Sequence, residues 1–172
     1  LVNNAGGAES APFARQDAGL VRRMLALNLE SAFTACRLVM PGMLARGSGR
    51  IVNIASTAGL KGYPYVAAYV AAKHGVIGLT RALALEVAKA GVTVNAVCTG
   101  FSETELVATS VRRIMDKTGR GDAEARAELA RSNPAGRLVR PDEVAAAVAW
   151  LASEEAAAVN GIALPVAGGE IG

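Results

Sequence analysis

The chain alternates short β-branched apolar runs with segments whose apolar residues recur at helical spacing. Residues 50–55 contain the run IVNI, residues 92–97 read VTVNAV, and residues 162–166 form a last apolar run. Short continuous apolar runs are typical of strands that are buried on both faces of a parallel sheet. Because helical segments separate these runs, the sequence predicts an α/β fold with a parallel sheet.

Three longer segments are predicted to be helical. In residues 17–46 apolar side chains recur at helical spacing, and Asp17 is the expected N-cap. Pro41 removes a backbone donor, so we expect it to bend or end this helix. Residues 67–88 form the second helix, and Pro141 begins the third.

Length and composition limit the class of protein. The chain has 172 residues, of which 52% are hydrophobic, and this is enough for one domain over residues 1–172. The net charge of +3 is scattered and aromatic residues make up only 4%, so the composition argues against nucleic-acid binding. Nucleic acid is therefore not an expected partner.

The apolar runs and the cysteines predict a cellular location. No run approaches the ~20 residues that cross a bilayer, and the N-terminus lacks the features of a signal peptide. Cys36 and Cys98 are isolated thiols without metal-ligand spacing, so we expect both to be reduced and buried. These observations predict a cytoplasmic protein with no metal site and no membrane partner.

Ser56, Tyr69 and Lys73 form the main candidate site. Tyr69 and Lys73 lie four residues apart in the predicted helix, so their side chains share one face. An ammonium beside the phenol is expected to lower the pKa of Tyr69 from its ordinary value near ~10. Ser56 follows the predicted strand 50–55, where its hydroxyl can polarise a carbonyl oxygen. The three side chains together indicate carbonyl reduction or alcohol oxidation.

Two further features each allow a structural and a functional interpretation. The small residues of NNAGG, at 3–7, permit the close approach of a ligand, or they form a strand-ending turn. Asn28 interrupts the helical pattern of residues 17–46, and its position alone favours a solvent-facing or locally bonded residue.

Residues 101–140 are predicted to cover the ligand crevice with one or two short helices. This segment carries a group of basic side chains that could meet a phosphorylated carrier or coenzyme A. A solvated helix face is the simpler interpretation of the same charges. The residues concerned are Arg112, Arg113, Lys117 and Arg120.

These sequence blocks, in this order, resemble the short-chain dehydrogenase/reductase family. The resemblance runs from LVNNAG at 1–6, through GRIVNIAS at 49–56 and YVAAKHGVIGLTRALALE at 69–86, to VAGG at 166–169. It implies a doubly wound, Rossmann-like parallel sheet that binds NADP or NAD. Within the family, the chain is most similar to ketoreductases of 3-oxoacyl thioesters, including polyketide ketoreductases. Homo-oligomers, commonly homotetramers, are also implied.

The resemblance assigns roles to particular residues. Tyr69 would protonate the forming alkoxide, Ser56 would hold the carbonyl oxygen, and Lys73 would hold the nicotinamide ribose. Asn28 would anchor a water that connects Lys73 to solvent, which completes a catalytic tetrad. The residues implied at the cofactor are Asn4, Ala5, Gly6, Tyr69, Lys73, Gly100, Ser102 and Thr104.

The sequence departs from the family pattern in two places. Thr99 and Gly100 stand where the family has Pro-Gly, and we expect this change to loosen the backbone before residues 101–140. No glycine-rich phosphate loop is present, because Gly119 and Gly121 lack a third glycine and a preceding strand. The resemblance therefore implies a chain that starts at the fourth strand of the fold, lacks the nucleotide-binding third and binds the cofactor poorly alone.

Three functions remain open at this point. The first is an NAD(P)-dependent reductase of a 3-oxoacyl thioester or a related ketone. The second is a dehydrogenase of another alcohol, such as a sugar, a steroid or a hydroxy acid. The third is a non-catalytic or inert relative, which the missing phosphate loop favours and the intact set of catalytic residues disfavours.

Overall fold

The computed structural model describes residues 1–171, except for the side chains of Glu105 and Leu106. Residue 172 of the predicted domain lies outside the described residues. The described strands form one parallel sheet in the spatial order β1-β2-β3-β4. They are β1 Val2–Asn3, β2 Gly49–Ile54, β3 Val92–Thr99 and β4 Ala163–Val166. The prediction of an α/β fold with a parallel sheet is confirmed.

Helices connect consecutive strands along the chain. The predicted helix 67–88 and the helix that begins at Pro141 are both confirmed, and residues 101–131 contain two helices. Asp17 is an N-cap, since its Oδ1 accepts a hydrogen bond of 2.8 Å from the Leu20 amide. The helices are α1 Ala18–Leu25, α2 Ser31–Ala45, α3 Ala67–Val87, α4 Glu105–Thr118, α5 Asp122–Ala130 and α6 Pro141–Ala152.

The strands are buried on both faces, as their continuous apolar runs predict. Ile51 and Val94 pack on one side of the sheet in a core that includes Cys36 of α2. Val52 and Val97 point to the opposite side and pack against Leu151 of α6. Side chains of a strand alternate between its faces, so one β-branched run supplies both cores. The sheet is therefore doubly wound, with helices on both faces.

A buried chain of polar side chains joins β1, β2 and α3. Asn53 in β2 donates a hydrogen bond of 2.9 Å to the Thr80 hydroxyl in α3, and its Oδ1 accepts one of 2.8 Å from Asn3. Asn53 and Thr80 are fully buried, so these hydrogen bonds supply partners that water cannot. The network fixes α3 against the strand that leads to Ser56.

Pro41 does not end its helix near residues 38–40, because α2 continues through Pro41 to Ala45. Met43, one turn from the end, is buried in the core beside the sheet. Gly49 makes room for it, since a Cβ at Gly49 would lie 2.5 Å from Met43 Sδ. Packing in this last turn compensates for the donor that proline removes.

Gly91, in the turn before β3, and Gly119, at the end of α4, both have left-handed backbone but differ in how tightly they are packed. Gly91 and Gly119 have φ angles of +69° and +70°. A Cβ at Gly91 would overlap the Gly47 carbonyl oxygen, whereas a Cβ at Gly119 would meet nothing within 4 Å. Both substitutions to alanine carry the left-handed cost of about 1–2 kcal/mol.

We expect Gly91→Ala to lower the free energy of unfolding by about 1–3 kcal/mol more than Gly119→Ala, because only the former adds an overpacked contact. Urea unfolding of both variants, followed by circular dichroism, measures this difference. Equal losses in the two variants would show that the Gly47 turn moves away without cost.

Candidate active site

A cavity of about 1080 Å³ opens at the carboxyl ends of the parallel strands. Its wall consists of the segments that follow β1, β2 and β3, the first turns of α3 and α4, and one face of α6. This is the edge at which open α/β sheets bind ligands. The cavity therefore locates the candidate site independently of any motif.

Ser56 is held at the end of β2 by the turn that follows it. The strand ends at Ile54, and Ser56 has extended backbone immediately before a 3₁₀ turn, Thr57–Gly59. Its Oγ accepts a hydrogen bond of 3.1 Å from the Ala58 amide. Because the hydroxyl proton is not used in this bond, Ser56 can donate it to a group in the cavity.

Tyr69 and Lys73 both line the cavity from the first two turns of α3. The Lys73 Nζ lies 5.7 Å from the centroid of the Tyr69 ring, as their four-residue spacing predicts. The same nitrogen donates a hydrogen bond of 2.9 Å to the Ile54 carbonyl at the end of β2. Lys73 is buried, so this carbonyl is an essential partner for its charge.

The expected lowering of the Tyr69 pKa is not what the structure shows. Burial raises the pKa of Tyr69, and the neighbouring Ser56 hydroxyl opposes this only in part. Burial also lowers the pKa of Lys73 to about 8. At pH 7 the phenol thus keeps its proton while most of the lysine is charged. In this state the Tyr69 hydroxyl has a proton to donate.

Asn28 is buried behind the cavity and does not line it. It belongs to a π-helical segment, Ala26–Glu30, between α1 and α2. Its side chain pairs with the backbone of Gly7, donating to the carbonyl at 2.9 Å and accepting from the amide at 3.1 Å. The interpretation of Asn28 as solvent-facing or only locally bonded is wrong, because these bonds cross 21 residues of sequence.

Gly6 separates Asn28 from Lys73. A Cβ at Gly6 would lie 2.9 Å from the Asn28 Oδ1 and 3.4 Å from the Lys73 Nζ. A larger residue would therefore fill the space between the amide and the ammonium. Within the NNAGG segment, Gly6 is thus the residue whose small size keeps this space open.

Most of the residues predicted at the cofactor line this cavity. They are Asn4, Gly6, Tyr69, Lys73, Gly100, Ser102 and Thr104, whereas Ala5 does not line it. Thr99 and Gly100, which stand where the family has Pro-Gly, are both paired with β4. Thr99 pairs with Val166 in β4, and the Gly100 amide donates to the Val166 carbonyl at 3.1 Å. The backbone at this position therefore continues the strand pairing of β3 with β4.

Sequence reasoning missed a buried cluster beside the site. The Tyr63 hydroxyl, on the cavity wall, contacts the Thr57 hydroxyl at 2.6 Å and donates to the Glu170 carboxylate. Lys61 lies 3.0 Å from the same carboxylate, whose side chain is only 1% exposed. Burial and the Glu170 contact raise the pKa of Tyr63. No sequence signal joins Tyr63 to Glu170, because 107 residues separate them.

Other classes of site were searched for in the described part of the chain. In residues 1–171, no group of three or more His, Cys, Asp or Glu side chains is placed to hold a metal ion. Within the same residues, no helix has the length and apolar character needed to span a membrane.

Comparison with known proteins agrees with this geometry. The family described as enoyl-(acyl carrier protein) reductase matches residues 1–170. The chain belongs to this group of the short-chain dehydrogenase/reductase family. The resemblance that its sequence blocks indicate is therefore confirmed.

Curated relatives include two bacterial enzymes. A D-beta-hydroxybutyrate dehydrogenase of Cupriavidus necator is 43% identical over 98% of this chain and 66% of its own length. The 3-oxoacyl-acyl-carrier-protein reductase FabG of Vibrio cholerae is 42% identical over 98% of this chain and 65% of its own. The chain thus spans about two thirds of the length of these relatives.

A solved structure shares the fold closely. A single-substitution variant of actinorhodin polyketide ketoreductase, crystallised with NADPH, is 44% identical with a TM-score of 0.93. The match covers 99% of this chain and 66% of that one. The Rossmann-like fold is therefore shared over nearly the whole chain.

The low pKa of Lys73 predicts how stability depends on pH. The folded-state pKa of about 8 lies below the ordinary 10.5, so the unfolded chain binds more protons between these values. Stability therefore rises with pH in this window, because the cost of burying the ammonium disappears. Relative to Lys73→Met, the wild-type free energy of unfolding should rise by up to about 3 kcal/mol from pH 8 to pH 10.5.

Urea unfolding of both proteins at half-unit pH steps measures this difference. The comparison with Lys73→Met removes the titration of the tyrosines, which both proteins share. A difference that stays constant over the window would show that the lysine charge is not buried at a cost.

Proposed function

We propose that the chain carries the catalytic residues of an NAD(P)-dependent oxidoreductase that interconverts a ketone and a secondary alcohol. The observation that carries this proposal is the meeting of Ser56, Tyr69 and Lys73 on one cavity at the carboxyl edge of the sheet. A non-catalytic role would not require a buried ammonium 5.7 Å from the phenol ring.

Each of the three side chains has a separate role in reduction of the carbonyl group. Ser56 donates a hydrogen bond to the carbonyl oxygen, where negative charge develops during reduction. Tyr69 transfers its hydroxyl proton to that oxygen, which becomes the alcohol, and is left as a phenolate. The Lys73 ammonium, whose Nζ lies 5.7 Å from the centroid of the Tyr69 ring, stabilises this phenolate. Alcohol oxidation reverses the same proton transfer.

Asn28 completes the proposed catalytic set by positioning the segment that follows β1. Its paired hydrogen bonds to Gly7 hold the backbone next to Lys73. Asn28 would also anchor a water molecule beside Lys73. Through this water the lysine would exchange protons with solvent. The 2.9 and 3.4 Å distances from a Gly6 Cβ position place both groups beside one small space.

The cavity residues fit a nicotinamide cofactor, NADP or NAD, which supplies hydride when it is bound. Gly6 keeps the space beside Lys73 free of a side chain, and the Lys73 ammonium and Tyr69 hydroxyl can bond to ribose hydroxyls. Asn4, Ser102 and Thr104 add polar groups to the same wall. Ala5 lies between two lining residues and contributes backbone. The solved relative with NADPH supports this fit.

The substrate that we propose first is a 3-oxoacyl thioester or a related ketone. The similarity to FabG and to actinorhodin ketoreductase supports this choice. The 43% identity to a D-beta-hydroxybutyrate dehydrogenase favours a second candidate, a short hydroxy acid and its 3-oxo form. Both candidates contain a ketone two carbons from a carboxyl carbon.

We also propose that the protein is a cytoplasmic homo-oligomer, a dimer or a tetramer. Phe33 and Leu38 of α2 and Leu85 of α3 are 53%, 67% and 82% exposed, and a second copy would cover such apolar side chains. Cys36 and Cys98 are free, buried thiols, which supports a reducing compartment.

Tyr69→Phe tests the proposed proton donor. This change should lower kcat for reduction of acetoacetyl-coenzyme A by about 10²–10⁴-fold, because it removes the proton and keeps the ring. NADPH oxidation at 340 nm by the full-length protein measures kcat, and fluorescence titration checks that NADPH still binds. Tyr65→Phe is the matched control, since Tyr65 is 62% exposed and should leave kcat unchanged. Retained turnover in Tyr69→Phe would reject the assignment.

Leu85→Glu tests the proposed assembly. A charge at this exposed apolar position should dissociate an interface that buries it, since an unpaired carboxylate is costly to desolvate. Sedimentation velocity should show a lower mass for the variant, with the circular dichroism spectrum unchanged. An oligomer of wild-type mass would exclude Leu85 from the interface.

A further inference from the structure

The charged side chains among the described residues of the cavity wall are both cationic. Among the described residues that line the cavity, Lys73 and Arg113 are the charged side chains, and no carboxylate joins them. The Glu170 carboxylate, which accepts a hydrogen bond from the wall residue Tyr63, is paired with Lys61. The cavity therefore favours a ligand that brings its own negative charge.

Arg113 projects from α4 toward the segment between β1 and α1. One of its terminal nitrogens, Nη1, donates a hydrogen bond to the Ser10 hydroxyl, and both residues line the cavity. A guanidinium has five N–H donors, and this bond uses one of them. Arg113 forms no ion pair with another described residue. Its free donors suit the paired oxygens of a carboxylate or a phosphate.

The neighbouring basic residues differ from Arg113. Arg120 pairs with Glu128 at 3.3 Å, and neither Arg112 nor Lys117 is among the described residues that line the cavity. Arg112, Arg113 and Lys117 are all exposed, as a solvated helix face requires, but Arg113 also lines the cavity. Of these four basic residues, Arg113 is the one that lines the cavity in the described part of the chain.

We propose that Arg113, held in place by Ser10, binds an anionic group of the substrate, a carboxylate or a phosphate, at the exposed end of the cavity. This inference rests on the proposed ketone reduction, because the anion belongs to the molecule whose carbonyl reaches Tyr69. Lys73 is committed to the Ile54 carbonyl and to Tyr69, which leaves Arg113 as the wall cation for recognition.

Three ketones separate the possible sources of the negative charge. Acetoacetate carries a carboxylate, acetoacetyl-coenzyme A carries phosphates, and ethyl acetoacetate is neutral. In the full-length protein, Arg113→Gln should lower kcat/KM about tenfold for one or both of the charged ketones, mainly through KM. The neutral ester and the KM for NADPH should change less than about twofold. Arg113→Lys should restore part of the loss, because it keeps the charge without the paired donors.

Arg112→Gln is the matched control, because it removes the adjacent cation of the same helix away from the cavity. It should leave all three values of kcat/KM unchanged. Ser10→Ala should act in the same direction as Arg113→Gln, with a smaller effect. Equal losses for the charged and the neutral ketones, a change confined to the KM for NADPH, or no change at all would overturn the proposal.

A binding measurement makes the test independent of turnover. In Tyr69→Phe with NADPH, calorimetry should give a Kd for acetoacetate or acetoacetyl-coenzyme A that rises about tenfold when Arg113→Gln is added. If neither charged ketone binds this parent more tightly than the neutral ester, the proposal fails. Failure of the proposed function appears separately, as wild-type protein that does not oxidise NADPH with any ketone.

Discussion

The hydrogen bond from the buried Lys73 ammonium to the Ile54 carbonyl is the interaction on which the rest of the site depends. A buried charge without a partner is costly, so this bond fixes the first turns of α3 against the end of β2. The consequence is geometric, because Tyr69 lies one helical turn from Lys73 and Ser56 lies two residues beyond Ile54. One bond between helix and strand thereby sets the relative positions of all three reactive side chains.

Close approach of α3 to the sheet makes this bond possible. Gly59, in the turn after Ser56, has no side chain, and a Cβ there would lie 2.8 Å from the Lys73 carbonyl oxygen. Deeper in the core, Asn53 and Thr80 bond α3 to β2 at a second point. The two contacts lie along the length of the helix, so α3 can neither slide nor rotate without breaking a buried polar pair. Rigid support of this kind is what a positioned proton donor requires.

Sequence patterns predicted those features of the site that depend on local spacing. Tyr69 and Lys73 share a face because they are four residues apart, and Ser56 follows a strand because β-branched residues precede it. The buried state of Asn28 was not predictable in this way, since its partner Gly7 lies in another segment. The Tyr63 and Glu170 pair was missed for the same reason. The continuation of α2 past Pro41 depends on the burial of Met43, which periodicity alone does not reveal.

The sequence correctly predicted that Lys73 lies beside Tyr69, but the predicted direction of the Tyr69 pKa shift was wrong. Burial raises the pKa of Tyr69, and the neighbouring Ser56 hydroxyl lowers it by a smaller amount, so burial sets the direction of the shift. Burial also lowers the pKa of Lys73. Both shifts favour the uncharged form of the side chain concerned. A phenolate therefore forms at this site only as a proton leaves for a bound acceptor, and the lysine charge acts when that phenolate appears. In the proposed function, a phenol that keeps its proton suits donation of that proton to a substrate oxygen.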